Sequence, residues 1–165
     1  DLADLYGGTL TLRNSTVAFN SVSPDSADPT AMPIGANISA RYSNDFGPAV
    51  LNIVSSIVSD GIGAADLGIV DQADNPFDAT INATNSLIEN PGTALNGTVV
   101  ATLTGVDPQL LPLADNGGPT LTHALAASSP AINAGSNPAG LAFDQRGPGF
   151  PRTLGGATDI GAFEL

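Results

Sequence analysis

The sequence contains no cysteine and no lysine, and only 5% of its residues are aromatic. The absence of cysteine excludes disulfide frameworks and thiolate metal sites. The four cationic side chains are all arginines. The chain has 16 Asp and Glu residues, so its formal net charge is −12. Because such a chain repels polyanions, nucleic acid, acidic polysaccharide and anionic membrane surfaces are disfavoured as partners.

The sequence also lacks the run of about 18 apolar residues that a membrane span requires. Its first residues carry neither the basic nor the apolar stretch of a signal peptide, and they do not include an initial Met, so we expect residue 1 to lie inside a longer precursor. In contrast, 19 glycines and 13 prolines occur without the three-residue period of collagen, and 42% of the residues are hydrophobic. This composition predicts one turn-rich all-β domain and argues against a helix bundle.

Three segments share one pattern: a short alternating strand, then a polar residue, a serine and an apolar pair or near-pair. They align on Ser15, Ser56 and Ser86, at offsets of 41 and 30 residues. Alternation of apolar and polar residues, as at Leu10 and Leu12, is typical of a strand with one buried face. Asn and Ser suit the turn after each strand because their side chains bond local backbone groups.

Stacking of such strand–turn–strand units buries aliphatic side chains in a central column, which predicts a parallel β-helix, a short solenoid, over residues 1–105. We predict a further strand at residues 97–103 and at most one or two helical turns at residues 121–127. Residues 23–34 and 71–78 are rich in Pro and Asp, which indicates loops between the coils.

From residue 106 onward the composition changes and a series of short motifs appears in order. They are DNGGPT at 115–120, SPAIN at 129–133, DQRG at 144–147 followed by Arg152, and DIGAFE at 159–164. This series resembles the C-terminal module of bacterial parallel β-helix surface proteins of the choice-of-anchor Q type, although Asn133 stands where that family usually has Asp. The resemblance implies a right-handed β-helix and identifies residues 106–165 as a loop-rich capping module, continuous with the coils.

We expect the motif residues to have structural roles. A solenoid needs a cap over its last coil, and the glycines of a turn can supply the positive φ that such a cap requires. An arginine fork can pair a carboxylate and a carbonyl together, which favours an ion-pair network. The predicted turn comprises Asn116, Gly117, Gly118 and Pro119, the predicted network Asp144, Arg146, Arg152 and Asp159, and Gly147 and Gly161 complete the motifs.

No pattern of residues predicts a catalytic site. His123 is the one histidine, and no motif supplies the nucleophile and orienting acid that a catalytic histidine would need, so we expect a packed or surface side chain. Paired carboxylates would suit glycoside hydrolysis, and pectin lyase-like enzymes are β-helices. A carbohydrate-active enzyme of that type, or a remnant of one, is therefore the alternative hypothesis.

Calcium is the one cofactor that the sequence suggests. Asp66, Asp71, Asp74 and Asp78 supply clustered hard oxygen donors of the kind that Ca²⁺ prefers. Their spacing does not match an EF-hand loop, and solvated loop carboxylates are the competing interpretation.

The sequence therefore predicts a non-enzymatic, extracytoplasmic structural or binding module. Such a module would be cell-surface, secreted or periplasmic, and would serve as an adhesion-type protein or as a peripheral subunit of an envelope assembly. Because a solenoid does not tolerate an open end, we expect further N-terminal coils or another protein chain to cover it. Binding would involve the loops at 23–34 and 71–78, or the flat sides of the coils.

Overall fold

Strands and turns form the chain in a computed structural model that describes residues 3–22, 35–41, 47–70 and 79–165; these residues contain no helix. Neither predicted loop, 23–34 or 71–78, lies in the described part. The strands are β1 (Ala3–Tyr6), β2 (Gly8–Arg13), β3 (Thr16–Ala18), β4 (Ile38–Arg41), β5 (Ala49–Val54), β6 (Ile57–Ser59), β7 (Leu67–Val70), β8 (Thr80–Thr84), β9 (Leu87–Ile88), β10 (Val99–Val100) and β11 (Leu103–Thr104). None of the described segments forms a helix of the length and apolarity needed to cross a membrane.

The strands form three parallel sheets, which the chain visits in turn. The first sheet has the order β1-β4-β7, the second β2-β5-β8-β10 and the third β3-β6-β9-β11. Every pairing within these sheets is parallel. Each circuit of the chain therefore adds one coil to a solenoid-like stack, which confirms the prediction of an all-β chain with parallel strands.

The turn between the second and third sheets is the same in every coil. Asn14, Ser55 and Asn85 have φ of 47°, 48° and 48°, in the left-handed region. Asn adopts this region more readily than most residues, since its short polar side chain bonds nearby backbone. The turn directs the strand of the third sheet away from that of the second, and it places the three aligned serines directly above one another.

These serines form a ladder between the coils. The backbone N–H of Ser15 donates to Ser56 Oγ at 3.1 Å, and that of Ser56 donates to Ser86 Oγ at 3.2 Å. Each hydroxyl in turn donates to the carbonyl two residues before it. The alignment with offsets of 41 and 30 residues is thus confirmed, because the aligned positions are hydrogen-bonded to one another.

Residues 97–103 form two short strands, not the single strand that the sequence predicted. β10 and β11 are separated by Ala101, whose φ of 47° repeats the turn of the other coils, and by Thr102, whose hydroxyl donates to Val100 O at 3.0 Å. These residues are a fourth coil. The sequence pattern missed it because alanine and threonine replace the expected Asn–Ser pair.

The helical turns predicted at residues 121–127 are absent. Thr122 forms an antiparallel bridge with Ala114, and Leu125 forms one with Leu110. A helix of one or two turns gains too few hydrogen bonds to offset its nucleation cost, so pairing with residues 110–114 is the more stable arrangement for this backbone.

The hydrophobic core lies between the three sheets. Its central columns include Leu51, Ile53, Ile81, Val58 and Ile88, all fully buried. On β6 and β9 the neighbouring residues Ile57 and Leu87 have the opposite orientation and belong to a second apolar cluster. The middle strands of the third sheet, β6 and β9, are therefore buried on both faces, as expected for parallel strands.

Residues 107–165 cover the outer face of that third sheet. In the second cluster, Leu125, Ala131 and Ile160 pack against Ile57 and Leu87. The sequence led us to expect a cap on the last coil, whereas these contacts lie along the side of the stack and extend back to the first coil. The division of the chain after residue 105 stays a prediction. We refer to residues 107–165 as the side segment.

Candidate functional site

The charged residues of the motifs in the side segment converge in two connected clusters. In the first, Arg146 donates to both carboxylate oxygens of Asp144, from Nε at 3.0 and 3.2 Å and from Nη2 at 2.7 Å. Its guanidinium lies between the rings of Phe150 and Phe163, at 4.1 and 3.8 Å from their centroids. Paired and stacked on two rings, this arginine is a packed structural element.

The second cluster surrounds Arg152, which is only 1% exposed. Its Nη2 donates to the backbone carbonyl of Asp159 at 2.6 Å, and its Nη1 lies 3.8 Å from Glu164 Oε2. Burial lowers the pKa of Arg152, although Glu164 and the neighbouring aspartates oppose this effect. Sequence reasoning expected Asp144 and Asp159 as the acidic partners and missed Glu164, although it is the last residue of the DIGAFE motif.

The carboxylates of both clusters accept hydrogen bonds from backbone. Asp159 accepts from the N–H of Asn133 at 2.7 Å and of Leu165 at 2.8 Å. Glu164 accepts from the N–H of Leu154 and of Asp159, both at 3.1 Å, and burial raises its pKa. Because these bonds occupy both oxygens of each carboxylate, the two groups hold the loop backbone in place and are not presented to a substrate.

Among the described residues, four hydrogen bonds attach the side segment to the turns of the first two coils. Asn14 Nδ2 donates to Ser136 O at 2.8 Å. Ser55 accepts the N–H of Ser136 on its hydroxyl at 2.8 Å and the N–H of Gly161 on its carbonyl at 3.0 Å. Thr16 Oγ1 accepts the N–H of Ala162 at 3.1 Å. We call this set of contacts the clasp.

Both the backbone conformation and the lack of space for a side chain require glycine at position 161 in the clasp. Its φ is 102°, and a Cβ there would lie 2.8 Å from Ile57 Cδ1 and 2.9 Å from Thr16 Oγ1. The DIGAFE motif therefore needs glycine because the backbone passes directly over the third sheet.

The NGGP turn lies against the loop that carries Arg146. The side chain of Asn116 donates to Thr122 O at 2.9 Å. Gly117 and Gly118 have φ of 89° and 87°, and a Cβ at Gly118 would lie within 2.6 Å of the Arg146 backbone. Pro119, which follows, is exposed, and Gly147 has a φ of 86° with open space around it. This turn and the DQRG loop are thus packed backbone to backbone.

Asp66, a predicted calcium ligand, is 1% exposed and connects three separate turns. Its Oδ1 accepts from Asn37 Nδ2 at 2.7 Å and from Gly61 N–H at 2.9 Å, and its Oδ2 accepts from Asn90 N–H at 2.7 Å. Its expected partners Asp71, Asp74 and Asp78 lie outside the described residues. Within the described part of the chain, no group of three acidic or histidine side chains is arranged to hold a metal ion.

A cleft of about 440 Å³ opens beside Asp66, and its lining includes Phe19, Asp60, Ile62 and Glu89. Glu89 Oε2 accepts the N–H of Asp60 at 2.9 Å. Burial, aided by the neighbouring carboxylates, raises the pKa of both Asp66 and Glu89. These acids face one another with no cation among their described contacts, an arrangement that lowers stability near neutral pH.

His123 packs near this cleft. Its Nδ1 lies 2.8 Å from Leu111 O, and its ring centroid is 4.9 Å from that of Phe19. The described residues provide neither a nucleophile nor a carboxylate among its hydrogen-bond partners, so its geometry is that of a packing side chain.

The outer face of the second sheet carries a ladder of uncharged polar side chains. Asn82 Nδ2 donates to Asn52 Oδ1 at 3.0 Å, and Thr98 N–H donates to Asn82 Oδ1 at 2.7 Å. Next to this ladder, Arg13 is the one charged side chain on the face. The side segment does not cover this face.

Comparisons of the chain with protein-family models, with curated proteins and with solved structures found no match. The arguments below therefore depend on the sequence motifs and on the geometry described above.

Proposed function

We propose that this chain is a non-enzymatic structural or binding module built as a right-handed parallel β-helix. The coil order of the three sheets supports this architecture, and crossovers between parallel strands are right-handed in almost all proteins. The motifs of the side segment support membership of the choice-of-anchor Q type. That resemblance is also the basis for proposing an extracytoplasmic location.

The proposal depends mainly on one observation, which is that the charged residues of the motifs hold the side segment together. Asp144, Asp159 and Glu164 accept backbone N–H groups or pair with arginine, and all three are buried. A glycoside hydrolase needs two carboxylates that face the two sides of a substrate bond. The acids of the motifs instead hold the side segment together and position its clasp on the coils.

Among the surfaces that the structure describes, we propose the outer face of the second sheet for binding. Its Asn and Thr side chains can donate and accept hydrogen bonds, and its low charge avoids the repulsion that the rest of this acidic chain would impose. As partners we propose other protein chains, which would meet this face or the ends of the coil stack. We propose no catalytic cofactor.

Incubation of the purified chain with panels of neutral and acidic glycans tests the enzymatic alternative. We expect no change in glycan length or reducing ends over long incubations. As a matched pair, Asp60→Asn and Glu89→Gln alter the acidic cleft beside Asp66, which is not part of the clasp. Turnover by the native chain that either substitution abolishes would overturn the non-enzymatic proposal.

A further inference from the structure

A shallow depression of about 210 Å³ lies on the outer face of the second sheet. It is formed at the carboxyl ends of three neighbouring strands, where the chain enters the left-handed turns of the coils. Its lining comes from the described part of the chain and comprises Thr11, Arg13, Asn52, Ile53, Val54, Asn82 and Thr84.

The depression opens away from the core, at right angles to the direction in which the coils stack. Leu51 and Ile81 are core residues, and because side chains alternate along a strand, the next residues, Asn52 and Asn82, point outward. A neighbouring coil pairs with the edge of a strand and lies in the plane of the sheet. Coils at either end of the stack therefore lengthen this face and do not cover it.

A chain of hydrogen bonds crosses this face, and every bond in it has the same direction. The N–H of Thr98 donates to Asn82 Oδ1 at 2.7 Å, and Asn82 Nδ2 donates to Asn52 Oδ1 at 3.0 Å. A long contact of 3.5 Å from Asn52 Nδ2 to Thr11 Oγ1 completes the chain.

These bonds use the amide oxygens of the face and leave amide and hydroxyl hydrogens. A carboxamide has one oxygen and two N–H groups. In both Asn52 and Asn82 the oxygen already accepts a bond, whereas only one of the two N–H groups donates. Among the described residues, no acceptor bonds the second N–H groups or the hydroxyl hydrogen of Thr11. The depression therefore presents hydrogen-bond donors.

Arg13 adds a cation to these donors. Its side chain is exposed, and it lies on the same face as Thr11 because the two residues are two positions apart on one strand. Within the described part of the chain, no carboxylate or carbonyl pairs with its guanidinium. Arg146 and Arg152, in contrast, donate to groups of the side segment. The charge of Arg13 is therefore available to a group from outside.

A carboxylate fits this set of donors. The fork of an arginine binds two carboxylate oxygens side by side, and the amide and hydroxyl hydrogens suit the remaining lone pairs. Val54 lies between Arg13 and Thr84 in the sheet register and provides an apolar floor for a methylene group. A phosphate dianion would bring twice the charge towards a chain with a net charge of −12, so it is disfavoured.

We propose that this depression binds one carboxylate group, presented by an Asp or Glu side chain of a partner protein. The inference rests on the proposed function as a binding module and specifies what the outer face recognises. A protein presents a single carboxylate among neutral or basic residues, whereas a polyuronate brings a row of charges that this acidic chain repels. An acidic glycan is therefore the disfavoured source.

Titration of the isotope-labelled chain with a glutamate capped at both ends, followed by NMR at constant ionic strength, tests the proposal. We expect saturable shifts of the side-chain NH₂ signals of Asn52 and Asn82. The dissociation constant should be of the order of 10 mM, since a few exposed contacts hold one small group. Capped glutamine has the same shape without the charge and should bind about fivefold more weakly or not at all.

Two substitutions on β8 form a matched pair. Thr84→Glu places a carboxylate roughly 10 Å across the face from Arg13, within reach of its guanidinium, and should weaken binding of capped glutamate about fivefold. Thr80→Glu adds the same charge to the same face about 13 Å further along the strand and should leave binding within about twofold. Arg13→Gln should weaken binding as Thr84→Glu does, and circular dichroism should be unchanged in all three variants.

The outcomes separate the site, its ligand and its source. An equal response to capped glutamate and capped glutamine, or no saturable shift, would overturn the carboxylate site. Equal effects of Thr84→Glu and Thr80→Glu would also overturn it, because net charge alone would then explain the binding. Tighter binding of oligogalacturonate than of capped glutamate would overturn the protein partner in favour of an acidic glycan. None of these results measures glycan turnover, so a failure of this inference is distinguishable from a failure of the proposed function.

Discussion

At the scale of single residues, the glycines and acids of the side segment differ in how far the sequence explains them. The motif series predicted that Gly161 matters, but only the structure shows that a Cβ at this position would overlap side chains of the third sheet. Glu164 was missed as the partner of Arg152. Its pairing with Arg152 depends on a contact between two loops, and the spacing of residues along the sequence does not reveal such a contact.

Replacing Gly161 by alanine should lower the free energy of unfolding by about 2–4 kcal/mol, since the Cβ adds both strain and overlap. Urea denaturation followed by circular dichroism measures this change. Gly149→Ala is the matched control, because Gly149 has nearly the same φ, 103°, with open space around it. If both substitutions cost the same, the close approach to Ile57 and Thr16 contributes nothing and the clasp is not tightly packed.

The pKa values of Asp66, Glu89 and Glu164, all raised by burial, predict a pH dependence. The folded state binds protons more tightly than the unfolded state at these groups, so it gains stability as the pH falls. We expect the melting temperature to rise as the pH is lowered from 7 towards about 5, above the range in which ordinary carboxylates titrate.

Glu89→Gln isolates one of these groups, because glutamine keeps an oxygen that can accept the N–H of Asp60. The variant should be more stable than the native chain at pH 7 and should show a shallower dependence on pH. Asp115→Asn removes the same charge from an exposed site and serves as the control. If the melting temperature of the native chain decreases as the pH is lowered from 7 to 5, the prediction is contradicted.

At the scale of elements, the coil turn was the most predictable feature. Alternating apolar residues and an Asn or Ser followed by Ser gave the alignment of three coils, because period-two alternation and left-handed turns leave local signals. The fourth coil left no such signal. Its alanine at a φ of 47° is held there by the bonds from the coil beneath it.

The serine ladder gives a direct prediction for the coil interfaces. Ser86 is fully buried, and its hydroxyl accepts the N–H of Ser56 while it donates to backbone carbonyls. Ser86→Ala should therefore lower the free energy of unfolding by about 1–3 kcal/mol, because it leaves a buried N–H unpaired.

Ser15→Ala provides the comparison, since Ser15 has the same place in the first coil but is half-buried and its hydroxyl makes one local bond. Its cost should be within about 1 kcal/mol. Similar losses for the two variants in urea titrations would show that the ladder adds nothing to stacking.

Asp66 decides between a structural carboxylate and a calcium ligand. With its oxygens already bonded to Asn37, Gly61 and Asn90, we expect the melting temperature to be the same in millimolar Ca²⁺ and in chelator. Asp66→Asn should nevertheless lower the melting temperature in both conditions. The NH2 group of the asparagine is itself a hydrogen-bond donor, and it would face a backbone N–H that a carboxylate oxygen accepts in the native chain. A rise of several degrees with Ca²⁺ that the substitution abolishes would restore the calcium hypothesis.

At the scale of the whole molecule, composition predicted the class of fold and little of the arrangement of the side segment. Low aromatic content, abundant glycine and proline, and the alternating strands all favour stacked parallel coils. Sequence reasoning placed residues 106–165 on the end of the stack, because an end is where a solenoid needs cover. The contacts with Ile57 and Leu87 place that segment along the side, since the third sheet presents a second apolar face there.

The clasp also has a consequence for how the chain folds. The bond from the N–H of Ala162 to Thr16 joins residues 146 positions apart, so the first coil gains its contacts with the side segment only after most of the chain is ordered. Closing such a long loop costs entropy before any contact offsets it, and non-local contacts of this kind slow folding. From β5 onward, the bonds that join the middle coils to one another span at most 33 residues. We therefore expect these coils to form the folding nucleus and the clasp to close late.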